Sequence, residues 1–338
     1  MSNVTINHVA ERAGVSIKTV SRVLNGEPNV ADATRRKVEA AVAELNYRPN
    51  VSARSLAGSR SYLLGLLFNN PSPDYVSNLQ LGAIKQCRNH GYHLLIDWLD
   101  PQSKTLEEDV TAMTRSVRTD GYILSPPISD NEVVLRVIEA SGAPYIRIAP
   151  YRDMGRAPYI NIDDAGAAFD LTTQLLKLGH TAIAFIKGDP DHGATHLRYG
   201  GYSAALRARG VPLSQDLVKQ GDFSARSGIG CAEELLDRPN RPTAIFASND
   251  EMALGVMLVA NRLGIQVPGE LSVCGFDDMS VAKLVWPQLT TVRQPTAEMS
   301  ALAAELLISR STEKVGHLLD FQIVTRGSTG PAPKGARG

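Results

Sequence analysis

The sequence predicts an all-α helix-turn-helix headpiece followed by a two-lobed α/β core with parallel sheets. Three observations lead there. Residues 4 to 58 hold three amphipathic helical segments in close succession. Beyond Arg60, short apolar runs alternate with helical stretches, and the series occurs twice. Charge is also polarised: nine basic residues stand against five acidic ones through residue 60, and 26 against 30 after it, so a net charge of zero hides a cationic head.

Thr5 is placed to cap a first helix whose inner side carries Ile6, Val9, Ala10 and Ala13 at three- and four-residue spacing. Gly14 ends it. Ser16 caps a second helix, Ile17 to Leu24, which turns Val20, Val23 and Leu24 inward and Lys18, Ser21, Arg22 and Asn25 outward. A third helix, with Asp32 as its expected cap, closes a small core through Val38, Val42 and Leu45. An ordinary three-helix bundle shares this pattern, but the positive balance favours a surface that meets phosphate. In a helix-turn-helix pair the second helix enters the DNA major groove, led by the residues at its start.

In the core, Tyr62 to Phe68, Tyr92 to Trp98, Tyr122 to Ser125 and Tyr145 to Ala149 read as buried strands, separated by helices near Tyr75 to Asn89, Leu106 to Val117 and Glu132 to Ala140. The second series has strands at Ala182 to Ile186, Leu217 to Gln220, Ala244 to Ala247 and Leu271 to Gly275. Its helices lie near Ala165 to Leu178, Leu197 to Ala208, Ala225 to Leu236 and Glu251 to Leu263. Strands near Leu289 to Arg293 and Phe321 to Thr325, flanking a helix from Thr296 to Ile308, are expected to cross back and tie the lobes together. Open α/β sheets bind ligands beyond the carboxyl ends of their strands, so two facing lobes enclose a cleft. Asp74, His192, Phe223, Asn249 and Asp277 fall just after strands, Arg198 comes a little later than His192, and Trp286 is a further candidate wall. Arg, Asn and carboxylate groups suit sugar hydroxyls, and an aromatic face suits the apolar side of a sugar ring.

VAERAGVS, TVSRVLNG, VEAAVAELNYRPN and ARSLAG, in that order over the first 60 residues, resemble the lactose/galactose repressor (LacI/GalR) family. The resemblance implies base contacts from Ile17, Lys18 and Arg22 and phosphate contacts from Ser16, Thr19, Ser21 and Asn25. It also implies a hinge helix in which Ala53 and Leu56 enter the minor groove, Leu56 as the wedge. In the core, which resembles periplasmic sugar-binding proteins, Arg198 in HLRYGGY, Asn249 in SNDEMALG and Asp277 in GFDD sit at effector-binding positions of the family, and Phe223 in GDFSARSG matches its stacking aromatic.

The expected layout is a headpiece at 1–48, a hinge at 49–60 and an effector-binding and dimerisation core at 61–329. Lobe one takes about 61–160 and 293–320, lobe two about 161–292 and 321–329, and 330–338 is expected to be a disordered tail. Cys87, Cys231 and Cys274 are widely separated and read as buried free thiols rather than metal ligands. No run approaches the roughly 20 apolar residues of a membrane helix, and the N-terminus has no secretion signal, so a cytoplasmic protein is expected. No catalytic motif, cofactor or metal site is found. These readings imply a homodimeric repressor that binds a near-palindromic double-stranded operator and answers to a small sugar-like effector. A sugar-binding receptor without a DNA role and a sugar-processing enzyme are the alternatives.

Overall fold

The computed structural model describes residues 4–24, 29–47, 60–311 and 315–333. The chain divides into two units, Met1–Tyr62 and Leu63–Gly338.

The first unit contains α1 (Ile6–Ala13), α2 (Ile17–Leu24) and α3 (Asp32–Glu44). At the start of α1, the Thr5 amide donates to His8 Nδ1 at 3.1 Å. At its end Gly14 takes a φ of 66°, a left-handed conformation that a Cβ would strain. Ser16 Oγ accepts the Thr19 amide at 3.2 Å, the bond of an N-cap. Asp32 is not the cap of α3, contrary to expectation. Ala31 holds that position, and Asp32 lies inside the first turn, where its carboxylate still faces the positive end of the helix dipole. The helices close over Val9, Ala10, Val20, Val23, Val38 and Ala41, joined by Tyr47 from beyond α3. The hinge positions Ala53 and Leu56, and Asn25 after α2, lie outside the described residues.

Lobe one of the second unit is a six-stranded sheet in the order β11-β5-β4-β3-β1-β2, parallel throughout. Its strands are β1 (Leu63–Phe68), β2 (His93–Trp98), β3 (Tyr122–Leu124), β4 (Tyr145–Ile148), β5 (Tyr159–Ile162) and β11 (Gly316–Leu319). The helices are α4 (Pro73–Asn89), α5 (Leu106–Ser116), α6 (Glu132–Ser141) and the returning α12 (Thr296–Ser309), which packs on α4. Lobe two is a four-stranded parallel sheet, β7 (Val218–Gln220), β6 (Ile183–Lys187), β8 (Ala244–Ala247) and β9 (Ser272–Cys274) in that spatial order. Around it lie α7 (Asp164–Lys177), α8 (Gly193–Ala208), α9 (Ala225–Leu236), α10 (Asp250–Arg262) and the short α11 (Ser280–Leu284). At the crossover β10 (Thr291–Arg293) pairs antiparallel with β12 (Gln322–Val324).

Three differences from the sequence reading have physical causes. β5 and β11 are strands that the apolar pattern did not announce, because Asn161 interrupts the first, Gly316 and His317 open the second, and neither is buried along its whole length. β2 was expected to be buried, yet five of its six residues are exposed, since it is an edge strand with β1 as its one neighbour. Residues 330–333 are not a loose tail. Gly330 donates its amide to Ser272 Oγ at 3.0 Å, its carbonyl lies 3.0 Å from His180 Nε2, and the Ala332 amide donates to Leu178 O at 2.8 Å. At the crossover, Asp278 is caged by Arg293 at 2.7 Å, Arg326 and, more loosely, Lys283, so its carboxylate ties the crossover strands together. The three cysteines are buried free thiols. No helix among the described residues is long and apolar enough to cross a membrane.

Candidate functional site

The first unit presents one face of α2. Val20 and Val23 are buried, which fixes the rotation of the helix and turns Ile17, Lys18 and Arg22 outward. Ile17 is 49% exposed, unusual for so large an apolar side chain in such a small bundle. Ser16 is exposed, Thr19 and Ser21 are half-buried, and the Ser16 and Thr19 hydroxyls are 2.9 Å apart at the start of the helix. This edge offers hydroxyl, ammonium and guanidinium donors together with an apolar tip.

The second unit encloses a narrow cavity of about 40 Å³, partly open to solvent, between the carboxyl ends of the two sheets. Lobe one contributes Asn70 and Ser72 after β1, Tyr75 on α4, Pro126 after β3 and Ala149 after β4. From α7 and lobe two come Asp164, His192, Ala194, Arg198, Phe223, Asn249 and Asp277, and Gln294 follows β10.

Arg198 organises the charge. It is 4% exposed, and its Nε donates to Asp164 Oδ1 at 2.7 Å and its Nη1 to Ser248 O at 2.6 Å. Nη1 also lies 3.5 Å from Asp277 Oδ1, and the guanidinium carbon sits 3.6 Å from the centre of the Phe276 ring. Asp277 Oδ1 accepts Gln294 Nε2 at 2.5 Å. Asn249 caps α10, its Oδ1 accepting the Met252 amide at 2.9 Å while its Nδ2 donates to Phe223 O at 2.8 Å. Phe223 is itself in the left-handed region, φ 69°, and its ring is 5.2 Å from that of His192.

Burial dominates the proton equilibria. It pushes the Asp277 carboxyl up to about 6, against the opposing pull of Arg198. It lowers the His192 imidazole to about 4 although Asp189 pulls the other way, so this ring is neutral near pH 7. Behind the cavity the Asp250 carboxyl is raised well above its ordinary range, first by burial and then by Asp277, while it accepts Thr291 Oγ1 at 2.6 Å and the Met279 amide at 2.8 Å.

Of the residues singled out in the sequence, Arg198, Phe223, Asn249, Asp277 and His192 come together here. Asp74 does not line the cavity; its carboxylate accepts the Ser280 amide at 2.7 Å, a contact between α4 and the start of α11. Trp286 is 88% exposed and is not a wall, because the segment after α11 carries it to the outer surface. Asp164 and Gln294 were missed. The Asp163-Asp164 pair directly follows β5, so recognising that strand would have placed a carboxylate at a cleft position.

Residues 5–50 match the family model described as bacterial regulatory proteins, lacI family, and residues 172–329 match the periplasmic binding protein-like domain. Catabolite control protein A of Priestia megaterium is 34% identical over 334 residues, covering 96% of this chain and 100% of that one. Among solved structures, the lac repressor dimer bound to operator and the anti-inducer ONPF superposes with a TM-score of 0.80 at 28% identity, covering 97% of this chain and all of that one. The complex of the transcriptional regulator CelR with cellobiose gives 0.74 at 31% identity, covering 96% of this chain and 100% of that one. A helix-turn-helix head and a two-lobed binding core in one chain, related over nearly its full length to such regulators, make this chain a transcriptional regulator that belongs to the LacI family.

Proposed function

We propose that the chain is a homodimeric repressor of a near-palindromic operator, and that an uncharged, sugar-like effector in the cavity around Arg198 controls its operator affinity. One observation carries the effector reading. A buried Arg, two carboxylates, an amide and an aromatic ring converge on a cavity at the carboxyl ends of both sheets. Sugar hydroxyls need both donors and acceptors, and this set offers both. Asp164 and Asp277 outnumber Arg198, and His192 is neutral, so the lining carries a net negative charge near pH 7. That balance disfavours phosphosugars and uronates, whose anionic groups would be desolvated beside two carboxylates.

In the head, Ile17, Lys18 and Arg22 are assigned to bases, with Arg22 on a guanine, and Ser16, Thr19, Ser21 and Asn25 to phosphates. Ala53 and Leu56 are assigned to the minor groove. The operator and ligands named for the lac repressor and CelR complexes support both halves of the reading. Self-association is supported by the exposed apolar side chains Leu95, Ile96 and Trp98 on edge strand β2, by Leu81 on α4, and by Leu284 and Trp286 near α11. The relatives' regulatory role supports a protein that binds its sugar without transforming it, in the cytoplasm with its operator.

An effector acts by binding the two states of the lobes unequally, so its operator effect is bounded by that difference in affinity. The test is a thermal-shift screen of neutral, amino, phosphorylated and uronic sugars, followed by operator titration with each ligand that binds. The expected result is binding by neutral sugars and a changed operator affinity; binding confined to anionic sugars contradicts the charge argument.

A further inference from the structure

The lobe-one wall of the effector cavity is built from the turn between β1 and α4 and the first turn of α4 itself. Asn70, Ser72 and Tyr75 line it, with Pro126 and Ala149 beside them. The segment is fixed at three points. Asn69 Nδ2 donates to Leu99 O at 2.8 Å, Asn70 Oδ1 accepts the Ser72 amide at 2.9 Å, and Asp74 accepts the Ser280 amide of lobe two at 2.7 Å. Side chains on a segment held in this way are pre-positioned.

Ser72 occupies the N-cap position of α4, ahead of Pro73, where a serine hydroxyl ordinarily accepts an amide of the first turn. Ser224 does so at the head of the helix Ala225–Leu236, accepting the Ser227 amide at 3.1 Å. The Ser72 hydroxyl makes no such bond. Ser72 is 2% exposed, and its Oγ is buried with no hydrogen-bond partner among the described residues. Of the residues that line the cavity, Ser72 alone has a buried side-chain polar atom left unpaired among the described residues. Such a hydroxyl costs stability, and a ligand hydroxyl that met it would offset that cost.

The opposite wall differs. Arg198 is bonded to Asp164 and Ser248 O, Asp277 to Gln294, and Asn249 to the Met252 amide and Phe223 O, so a ligand has to exchange partners there. At Ser72 nothing has to be exchanged. A cavity this narrow also brings any occupant against both walls.

We propose that Ser72 is a specificity-determining residue of the effector site: its hydroxyl, donor and acceptor in one, binds one hydroxyl of the sugar from lobe one while the Arg198 cluster holds the ring from lobe two. This rests on the effector reading above. A deoxy analogue that lacks the matching hydroxyl forfeits the bond, and in Ser72→Ala the sugar hydroxyl is the group left without a partner. Each change alone therefore weakens binding by about fivefold or more, and the two together cost no more than one.

The test is isothermal titration of the full chain with D-ribose, D-glucose, D-galactose and cellobiose, and with the monodeoxy analogues of each sugar that binds, on the natural protein and on Ser72→Ala. Urea unfolding of both proteins without ligand accompanies it. The sugar that binds the natural protein binds Ser72→Ala about fivefold or more weakly, and one of its deoxy analogues loses as much on the natural protein and nothing further on Ser72→Ala. The unfolding midpoint of ligand-free Ser72→Ala equals or exceeds that of the natural protein, as expected for a hydroxyl with no protein partner. Equal affinity of the sugar for both proteins, or additive losses for every deoxy analogue, overturns the contact while leaving the sugar site standing. A lowered midpoint in ligand-free Ser72→Ala marks the hydroxyl as an ordinary helix cap and overturns it as well. If none of the four sugars binds the natural protein, the effector reading itself falls and the Ser72 contact with it.

Discussion

Two arginines are buried in the binding core, one in each lobe, and they are satisfied differently. Arg147 gives its hydrogen bonds to three backbone carbonyls and one carboxylate, all within lobe one, and does not line the effector cavity. Arg198 faces two carboxylates and one carbonyl and does line it. A guanidinium saturated by the backbone of a loop fixes the shape of that loop. One set among carboxylates at a cavity is able to exchange a partner for a ligand hydroxyl at small cost, because both arrangements satisfy its donors. The same residue type is thus a strut in one lobe and a binding group in the other.

The largest effect expected from this contrast is on stability. Arg147→Met leaves Asp130 and three loop carbonyls without their buried donor, and is expected to lower the urea-unfolding free energy by about 3–5 kcal/mol. A loss below about 1 kcal/mol would mean that the loop holds its shape without the strut. Arg198→Ala is expected to weaken effector binding by about 100-fold, the scale for removing one partner of a buried hydrogen-bonded charge pair, as read by calorimetry with whichever sugar binds. If affinity is retained, Arg198 is a second strut and the contrast disappears. In the head, Arg22→Ala should cost about 1–3 kcal/mol of operator binding and relax preference at one base pair, whereas Lys18→Ala tests whether that ammonium reads a base or a phosphate through its effect on sequence preference.

A smaller effect sharpens the picture of the charged side. The Asp277 carboxyl titrates near 6 in the fold against an ordinary value of 3.8, so the folded chain keeps a proton that the unfolded chain has released. Its contribution therefore favours folding at about pH 4 and is lost as pH rises to about 6. His192 works in the opposite direction: with its imidazole lowered from 6.5 to about 4, stability is lost as pH falls through that window. Unfolding measured from pH 4 to 6.5 should show Asp277→Asn gaining on the natural protein as pH rises, and His192→Asn gaining on it as pH falls. Parallel curves for all three proteins would contradict the burial assigned to both groups.

The sequence made the architecture legible wherever periodicity was long enough. The helix α2 and the helix Ala225–Leu236 fall on the expected residues, because each carries at least two turns of apolar spacing behind a capping serine. Asn161 interrupts the apolar run of Tyr159–Ile162 and only alternate residues of it are buried, so that strand gave no such signal, and overlooking it also concealed Asp164, which follows it. Arg147 was invisible for another reason. An arginine inside the apolar run YIRI gives no sign of which carbonyls will surround it. Trp286 shows the converse: an aromatic near cleft residues in the chain points outward in the fold.

The claim on which the rest depends is that the Arg198 cavity governs the grip of the head on DNA. It is tested most directly by titrating a labelled operator at one fixed salt concentration, with and without the sugar that binds, using the natural protein and Arg198→Ala. The sugar is expected to change operator affinity in the natural protein by about 5- to 150-fold, and Arg198→Ala to show no such response. An Arg198→Ala protein that answers the same sugar concentration as strongly as the natural one would contradict it.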